Sequence, residues 1–297
     1  MKVMVIGGTG YIGAAVVRRV RAAGHVPVVA VRGPGTAPEG IESRVADLAD
    51  PASLRAAATS DIDAFVHAAT PTGDWDADLA AVTALTGSLR GRTLVYLSGV
   101  WVLGSPGRPV DESASPSPTA LVSDRPLLEQ HVLGAAGVRG VVIRPGIVHG
   151  GGGGIPAMLV DWARSSGTGR YVGDPTVHWS MVHVDDLAEL VVLAVERAEP
   201  GTVLHGVAEP AVPVKALAAA ADVAAGGTGR SDPWPEHEAA LELGAPFAAA
   251  LTLDQEVVAV AARELGWDPS GPDAVSDLAS GSYRLSALTA GNAGLVS

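Results

Sequence analysis

The segment "VMVIGGTGYIG" (Val3–Gly13) sets Gly7, Gly10 and Gly13 at three-residue spacing, directly after an apolar run and at the head of a helix-like stretch. That pattern suits capture of a pyrophosphate. One glycine allows the tight turn, one lets backbone N–H groups approach the anion, and the third lets helix and strand pack closely. The helix N-terminus adds unpaired donors and a partial positive charge. The spacing therefore predicts dinucleotide binding by Gly7, Thr9, Gly10, Tyr11, Ile12 and Gly13. The second apolar run ends in "VVAVRGPG", which places Arg32 there, with no acidic residue until Glu39. A carboxylate at that point would read a ribose 2′-hydroxyl, whereas a guanidinium matches a 2′-phosphate. The expected cofactor is NADP(H). Asp47 and Leu48 follow the third run, where they can reach an adenine. His67, Ala68 and Ala69 end the fourth and would flank the ribose.

Other chemistries are poorly served. There are no cysteines, which excludes thiolate nucleophiles and disulfides. The eight histidines are scattered without metal-ligand spacing, so no metal is expected. No G-x-S-x-G elbow is present. A net charge of −12 argues against nucleic acid and against an anionic membrane surface as partners. No apolar run approaches the ~20 residues of a spanning helix. The opening "MKVMVIGG" is too short for a signal core, so a cytoplasmic location is expected.

The elements that must position these residues alternate. Strands are expected at Lys2–Ile6, Val26–Val31, a short third from Val45 to Asp47, Ala64–Ala68, Thr93–Leu97, Gly140–Arg144 and Thr202–Val207. Helices are expected at Tyr11–Ala23, Pro51–Ala58 with Asp50 as N-cap, Pro156–Arg164 and Asp185–Arg197, with Ala-rich helices after about Pro210. This alternation predicts an α/β fold, a Rossmann-type doubly wound parallel sheet with a smaller C-terminal lobe. Residues 1–150, with 181–208 returning, would form the nucleotide domain. Residues 151–180 and 209–297 would form the substrate-side lobe.

Further motifs join the glycine loop: "VADLAD" (Val45–Asp50), "FVHAA" (Phe65–Ala69), "LVYLSGVWVLG" (Leu94–Gly104), "VVIRPGIVHG" (Val141–Gly150), "MVHVDDLAEL" (Met181–Leu190) and "RELGWDP" (Arg263–Pro269). With these, the chain resembles the extended or atypical branch of the short-chain dehydrogenase/reductase superfamily, the NAD-dependent epimerase/dehydratase-like proteins. The resemblance implies a seven-stranded Rossmann sheet and a C-terminal lobe closing over substrate. It implies nicotinamide contacts from Pro145, Ile147 and Val148, and chemistry by a Ser/Thr, a Tyr and a Lys. Here the chain departs. Four residues after Tyr11, Tyr96, Tyr171 and Tyr283 stand Ala15, Val100, Pro175 and Ala287, so no Y-x-x-x-K exists.

At the corresponding place, "TALVSDRPLLEQ" (Thr119–Gln130) carries Leu121 and Arg125. Arg125 can donate hydrogen bonds to a ribose or a substrate oxyanion but does not give up a proton. Pro126 suggests a helix that begins near Ser123, with Ser123 as N-cap and Leu121 in the preceding loop. The usual hydroxyl position falls on Gly99, with Ser98 one residue early. Candidate catalytic residues are Ser98, Arg125, His149 and Tyr171. Candidate substrate contacts are Trp101, Leu121, His178 and Trp179. His183 reads as structural, packing with Asp185. The leading expectation is an NADP(H)-dependent oxidoreductase acting on a carbonyl, enone or imine of a small apolar molecule, as monomer or homodimer. A non-catalytic NADP(H) sensor, or an isomerase, epimerase or cyclase that retains the cofactor, stands as the alternative.

Overall fold

The computed structural model describes residues 1–33 and 38–284. In chain order the elements are β1 (Lys2–Ile6), α1 (Tyr11–Ala22), β2 (Val26–Val31), β3 (Glu42–Val45), α2 (Pro51–Ala57), β4 (Ala64–His67), α3 (Trp75–Ser88) and β5 (Thr93–Leu97). There follow α4 (Arg125–Leu133), β6 (Arg139–Pro145), β7 (Ile147–His149), α5 (Gly154–Ser166), β8 (Gly169–Val172), β9 (His178–His183) and α6 (Val184–Arg197). The chain continues through β10 (Thr202–Gly206), β11 (Glu209–Pro213), α7 (Val214–Ala224), β12 (Ser231–Trp234), α8 (Glu236–Leu243), α9 (Ala245–Leu251), α10 (Val260–Glu264) and α11 (Ala274–Ser280).

Seven strands form one sheet in the order β10-β6-β5-β4-β1-β2-β3. Every pairing in it is parallel. The apolar runs that form β4 and β5 are buried along their whole length, as a sheet covered on both faces requires. One face packs on α1 and α6 through Val16, Val20, Leu187 and Val191. The other packs on α2, α3 and α4 through Leu54, Leu85, Leu128 and Val132. A separate core gathers α5, α7, α9 and α11 around Trp179, Leu217, Trp234 and Tyr283. The strand order reverses between β1 and β4, and ligands of open α/β sheets bind in the crevice at such a point.

Most expected boundaries agree to within two residues, and two differences bear on the argument. The third strand is Glu42–Val45, ending where the sequence suggested it would begin. Its register against Val28–Val31 fixes that span, and the chain then turns through an Asp47–Asp50 bridge. The Asp50 carboxylate caps α2 as expected, accepting from the Ala52 N–H at 3.0 Å. The helix after the substituted segment starts at Arg125, not Ser123. A 3₁₀ turn over Ala120–Val122 precedes it, and Ser123 is already helical in backbone. The Ser123 hydroxyl bonds the Asp124 carboxylate and leaves the helix without a side-chain cap. Among the described residues no helix is long and apolar enough to cross a membrane.

Candidate active site

The glycine loop lies between β1 and α1 and is pressed against the end of β4. Gly7 has φ +80°, and a Cβ there would lie 2.6 Å from the Ala69 backbone nitrogen. A Cβ on Gly13 would overlap the Gly7 carbonyl. The Gly10 N–H closes the turn onto the Gly7 oxygen at 2.9 Å. No side chain caps α1, so its first N–H groups are left without a side-chain partner. This arrangement fits a pyrophosphate.

Beside it opens a cleft of about 610 Å³. Pro145–Val148 form its floor, and Tyr11, Ile12, Ile155 and Phe247 contribute to its walls. The ends of β5 and α4 contribute Ser98, Trp101, Leu121 and Arg125. Arg125 is half-buried, and its Nη1 donates to the Ser98 carbonyl oxygen at 2.9 Å. The Ser98 hydroxyl is buried with no hydrogen-bond partner, and so is the Trp101 indole N–H. Trp101 meets Phe247 edge-on, with ring centroids 6.1 Å apart. Among the described residues Arg125 is the one cation on this lining, beside the carboxylates Asp78 and Asp124.

The candidates therefore separate. Ser98, Trp101, Leu121, Arg125, Pro145, Ile147, Val148, Tyr11 and Ile12 share the cleft. His149, Tyr171, His178 and Trp179 do not line it. His149 is fully buried beneath α11, with Nδ1 3.2 Å from Asp277 Oδ2 and its ring edge-on to His183. The catalytic candidate His149 thus lies off the cleft lining, because β7 pairs with β9 and carries it inward. Tyr171 lies in β8, packed into the core beneath α7. Trp179 is buried, donating to the Leu251 carbonyl at 3.1 Å. His178 points outward to Asp254. The structural reading of His183 has a counterpart in its side chain, which accepts from the Asp185 N–H and caps α6.

Tyr11 serves as a strut. Its hydroxyl donates to the Gly150 carbonyl at 2.7 Å, and burial pushes its pKa far above the ordinary value. Its hydroxyl hydrogen is thus engaged by the backbone at Gly150. Arg32 is exposed at the end of β2, and Asp47 uses its carboxylate to accept from the Ala49 N–H. Leu48 is half-buried against the α2–α3 core.

No sequence pattern singled out Asp78 or Phe247. Asp78 accepts from the Thr72 N–H and hydroxyl at 2.8 and 2.9 Å, which folds the Thr70–Gly73 loop into a cleft wall. In sequence it is one acid among several in "GDWDAD". Phe247 reaches the cleft from α9, far along the chain from its neighbours there.

His67 ends β4 against the Tyr96 ring, centroids 5.1 Å apart, outside the cleft lining. Burial lowers its pKa from 6.5 to about 4. The unfolded chain thus takes up a proton that the folded chain refuses. Stability should fall as pH drops from 6.5 towards 4, by up to about 3 kcal/mol from this one group. Urea titrations across that range should show a shallower acid slope in His67→Asn than in wild type. Equal slopes would refute the assignment.

The NAD dependent epimerase/dehydratase family model matches residues 3–205. The chain belongs to that family. Family membership accords with the motif resemblance read from the sequence. The chain is 31% identical over 306 residues to the uncharacterized protein C2A9.02 of Schizosaccharomyces pombe, covering 95% of this chain and 100% of that one. It is 31% identical over 225 residues to 2′-dehydrokanamycin reductase of Streptomyces kanamyceticus, covering 69% and 61%. UDP-glucose 4-epimerase of Thermus thermophilus, in complex with NAD, has the same fold with a TM-score of 0.77 at 20% identity, covering 97% of this chain and 100% of that one. The human epimerase family protein SDR39U1, with NADPH, gives a TM-score of 0.75 at 24% identity, covering 95% and 99%.

Proposed function

We propose that this family member is an NADP(H)-dependent oxidoreductase acting on a carbonyl, enone or imine carbon of a small uncharged molecule. One observation carries the reading: a single cleft joins the bare N-terminal end of α1 to Ser98, Arg125 and an aromatic wall. In this reading the loop Gly7–Gly13 holds the pyrophosphate, Arg32 the 2′-phosphate, Asp47 and Leu48 the adenine, and Ala68 and Ala69 the ribose. Pro145, Ile147 and Val148 contact the nicotinamide. When bound, that ring supplies or accepts a hydride. Residues 1–150 and 181–208 serve the nucleotide, and 151–180 with 209–297 serve the substrate.

The chain's own groups handle the substrate oxygen. Arg125 directs its remaining donors at that oxygen and stabilises the charge that develops there. Ser98 offers a hydroxyl that has no other partner. Arg125 stays protonated throughout, so the proton comes from water at the cleft mouth. Trp101, Phe247 and Leu121 cover the apolar remainder of the substrate. With one cation against two carboxylates on the lining, a neutral molecule fits better than an anionic one.

The test is NADPH titration followed by a panel of neutral aromatic and aliphatic carbonyls, read at the nicotinamide absorbance band. Binding with stoichiometric consumption is expected. Product formed without net absorbance change would make the protein an isomerase, and binding without any conversion would leave a sensor. A separate expectation concerns cofactor choice. Arg32→Ala should weaken NADPH about 10- to 100-fold, the worth of a charge-assisted contact, and leave NADH unchanged. Equal losses for both cofactors would remove Arg32 from the 2′-phosphate.

A further inference from the structure

Helix α4 replaces the segment that would carry a tyrosine and a lysine, yet little fixes its orientation. It has nine residues, no side-chain cap and a proline in its first turn. Its buried contacts are Pro126, Leu128, Glu129 and Val132. Three of these are apolar and tolerate some roll about the helix axis. Glu129 does not. It is 2% exposed and faces Arg144 of β6, itself 4% exposed. Arg144 Nε lies 3.1 and 3.2 Å from the two Glu129 oxygens, and Arg144 Nη2 lies 2.6 Å from Oε2.

A buried ion pair of this kind is weak evidence of stability. Apolar residues of similar volume often hold a fold as well or better, because two desolvated charges recover little beyond their desolvation cost. What a forked pair adds is direction. Arg125 and Glu129 are four residues apart and so lie on one face of α4, one turn above the other. Arg125 reaches the Ser98 carbonyl at the end of β5, and Glu129 reaches Arg144 in the neighbouring β6. Two anchors from one helix face onto adjacent strands fix both the roll and the height of the helix. Arg144 also immediately precedes Pro145–Val148, the cleft floor.

We infer that the Glu129–Arg144 pair is a positioning device that aims Arg125 into the cleft. Its consequence for turnover rests on the reductase reading; its consequence for Arg125 does not. The pair takes no part in chemistry itself.

The experiment uses the full chain with NADPH alone as ligand. The ¹⁵N–¹H guanidinium spectrum is recorded, with the Arg125 signal assigned by its disappearance in Arg125→Ala. The key variant is Glu129→Leu with Arg144→Met, which keeps an apolar contact. Expected are a thermal midpoint equal to or above wild type, unchanged NADPH affinity, and an Arg125 signal that loses its ordered, hydrogen-bonded character. Glu129→Gln should show the same loss. Where a carbonyl substrate is turned over, either variant should lower kcat roughly 10- to 100-fold with little change in KM. Adding Glu129→Gln to Arg125→Ala should then cost nothing further. An unchanged Arg125 signal in a folded variant overturns the proposal. So does collapse of both variants, which would assign the pair to stability alone. A wild type that binds NADPH and reduces nothing would remove the reductase reading, while the spectrum still decides on the pair.

Discussion

Arg125→Ala should lower turnover roughly 10²- to 10³-fold, the scale set by removal of one donor from a site of developing negative charge. NADPH affinity should change little, because Arg125 is not part of the glycine-loop and helix-terminus cradle. The protein should remain folded. Among the described residues, the one side-chain hydrogen bond that disappears is the bond to the Ser98 carbonyl, at a cleft edge where water can replace it. Leu121→Ala should have only a mild effect, since that side chain is 41% exposed and contributes apolar cover. Arg125→Lys should recover part of the loss, because an ammonium keeps the charge but not the fork. Steady-state kcat and kcat/KM for the three variants decide the matter. A severe Leu121→Ala with a silent Arg125→Ala would show that the oxygen binds elsewhere in the cleft.

The part of this site that local pattern dictates could be read from the chain. The glycine spacing, the apolar runs of β1, β2, β4 and β5, and the absence of any Y-x-x-x-K follow from neighbours in sequence. The third strand was expected, but its bounds were not legible. "ESRV" at Glu42–Val45 is an edge strand whose Arg44 pairs with Glu42 and Asp61, so it lacks an apolar period. The acid–base candidates His149 and Tyr171 lie off the cleft lining for a different reason. His149 follows the floor segment directly, and its neighbours Ile147 and Val148 do reach the cleft. Its own surroundings come from Asp277, Glu209 and His183, all remote in sequence. Tyr171 is placed by the pairing of β8 with β12, another contact that no local spacing reveals. Segments that pair within the first sheet could be anticipated, whereas the folding of the later segments over it depends on long-range packing. The same limit hid Phe247 and the Glu129–Arg144 pair.

Gly13→Ala should be among the most damaging single methyls in the nucleotide half. The added Cβ overlaps the Gly7 carbonyl oxygen and would also lie 2.9 Å from Gly8 Cα. All of these are backbone atoms, and a Cβ has no rotamer with which to escape. The remaining relief is for α1 to slide off the turn. Its buried face, Ala15, Val16, Val17 and Val20, is committed to the core, so sliding spreads the strain. Overpacking of this kind costs about 1–3 kcal/mol or more. For a chain of this size that corresponds to a thermal midpoint lowered by roughly 2–5 °C. The effect on cofactor should be larger still, because the slide moves the N–H groups of the helix terminus away from the loop with which they form one cradle. NADPH affinity should fall at least about 100-fold, equivalent to some 3 kcal/mol. Gly10→Ala is the control. Gly10 has φ −81°, which alanine adopts freely, and its Cβ would lie 3.3 Å from the Gly7 oxygen, a tight but yielding approach. It should cost little in midpoint and in affinity. Fluorescence titration with NADPH, paired with thermal melts of both variants, separates the two positions. A Gly13→Ala protein that binds NADPH like wild type would mean that the helix terminus does not hold the pyrophosphate.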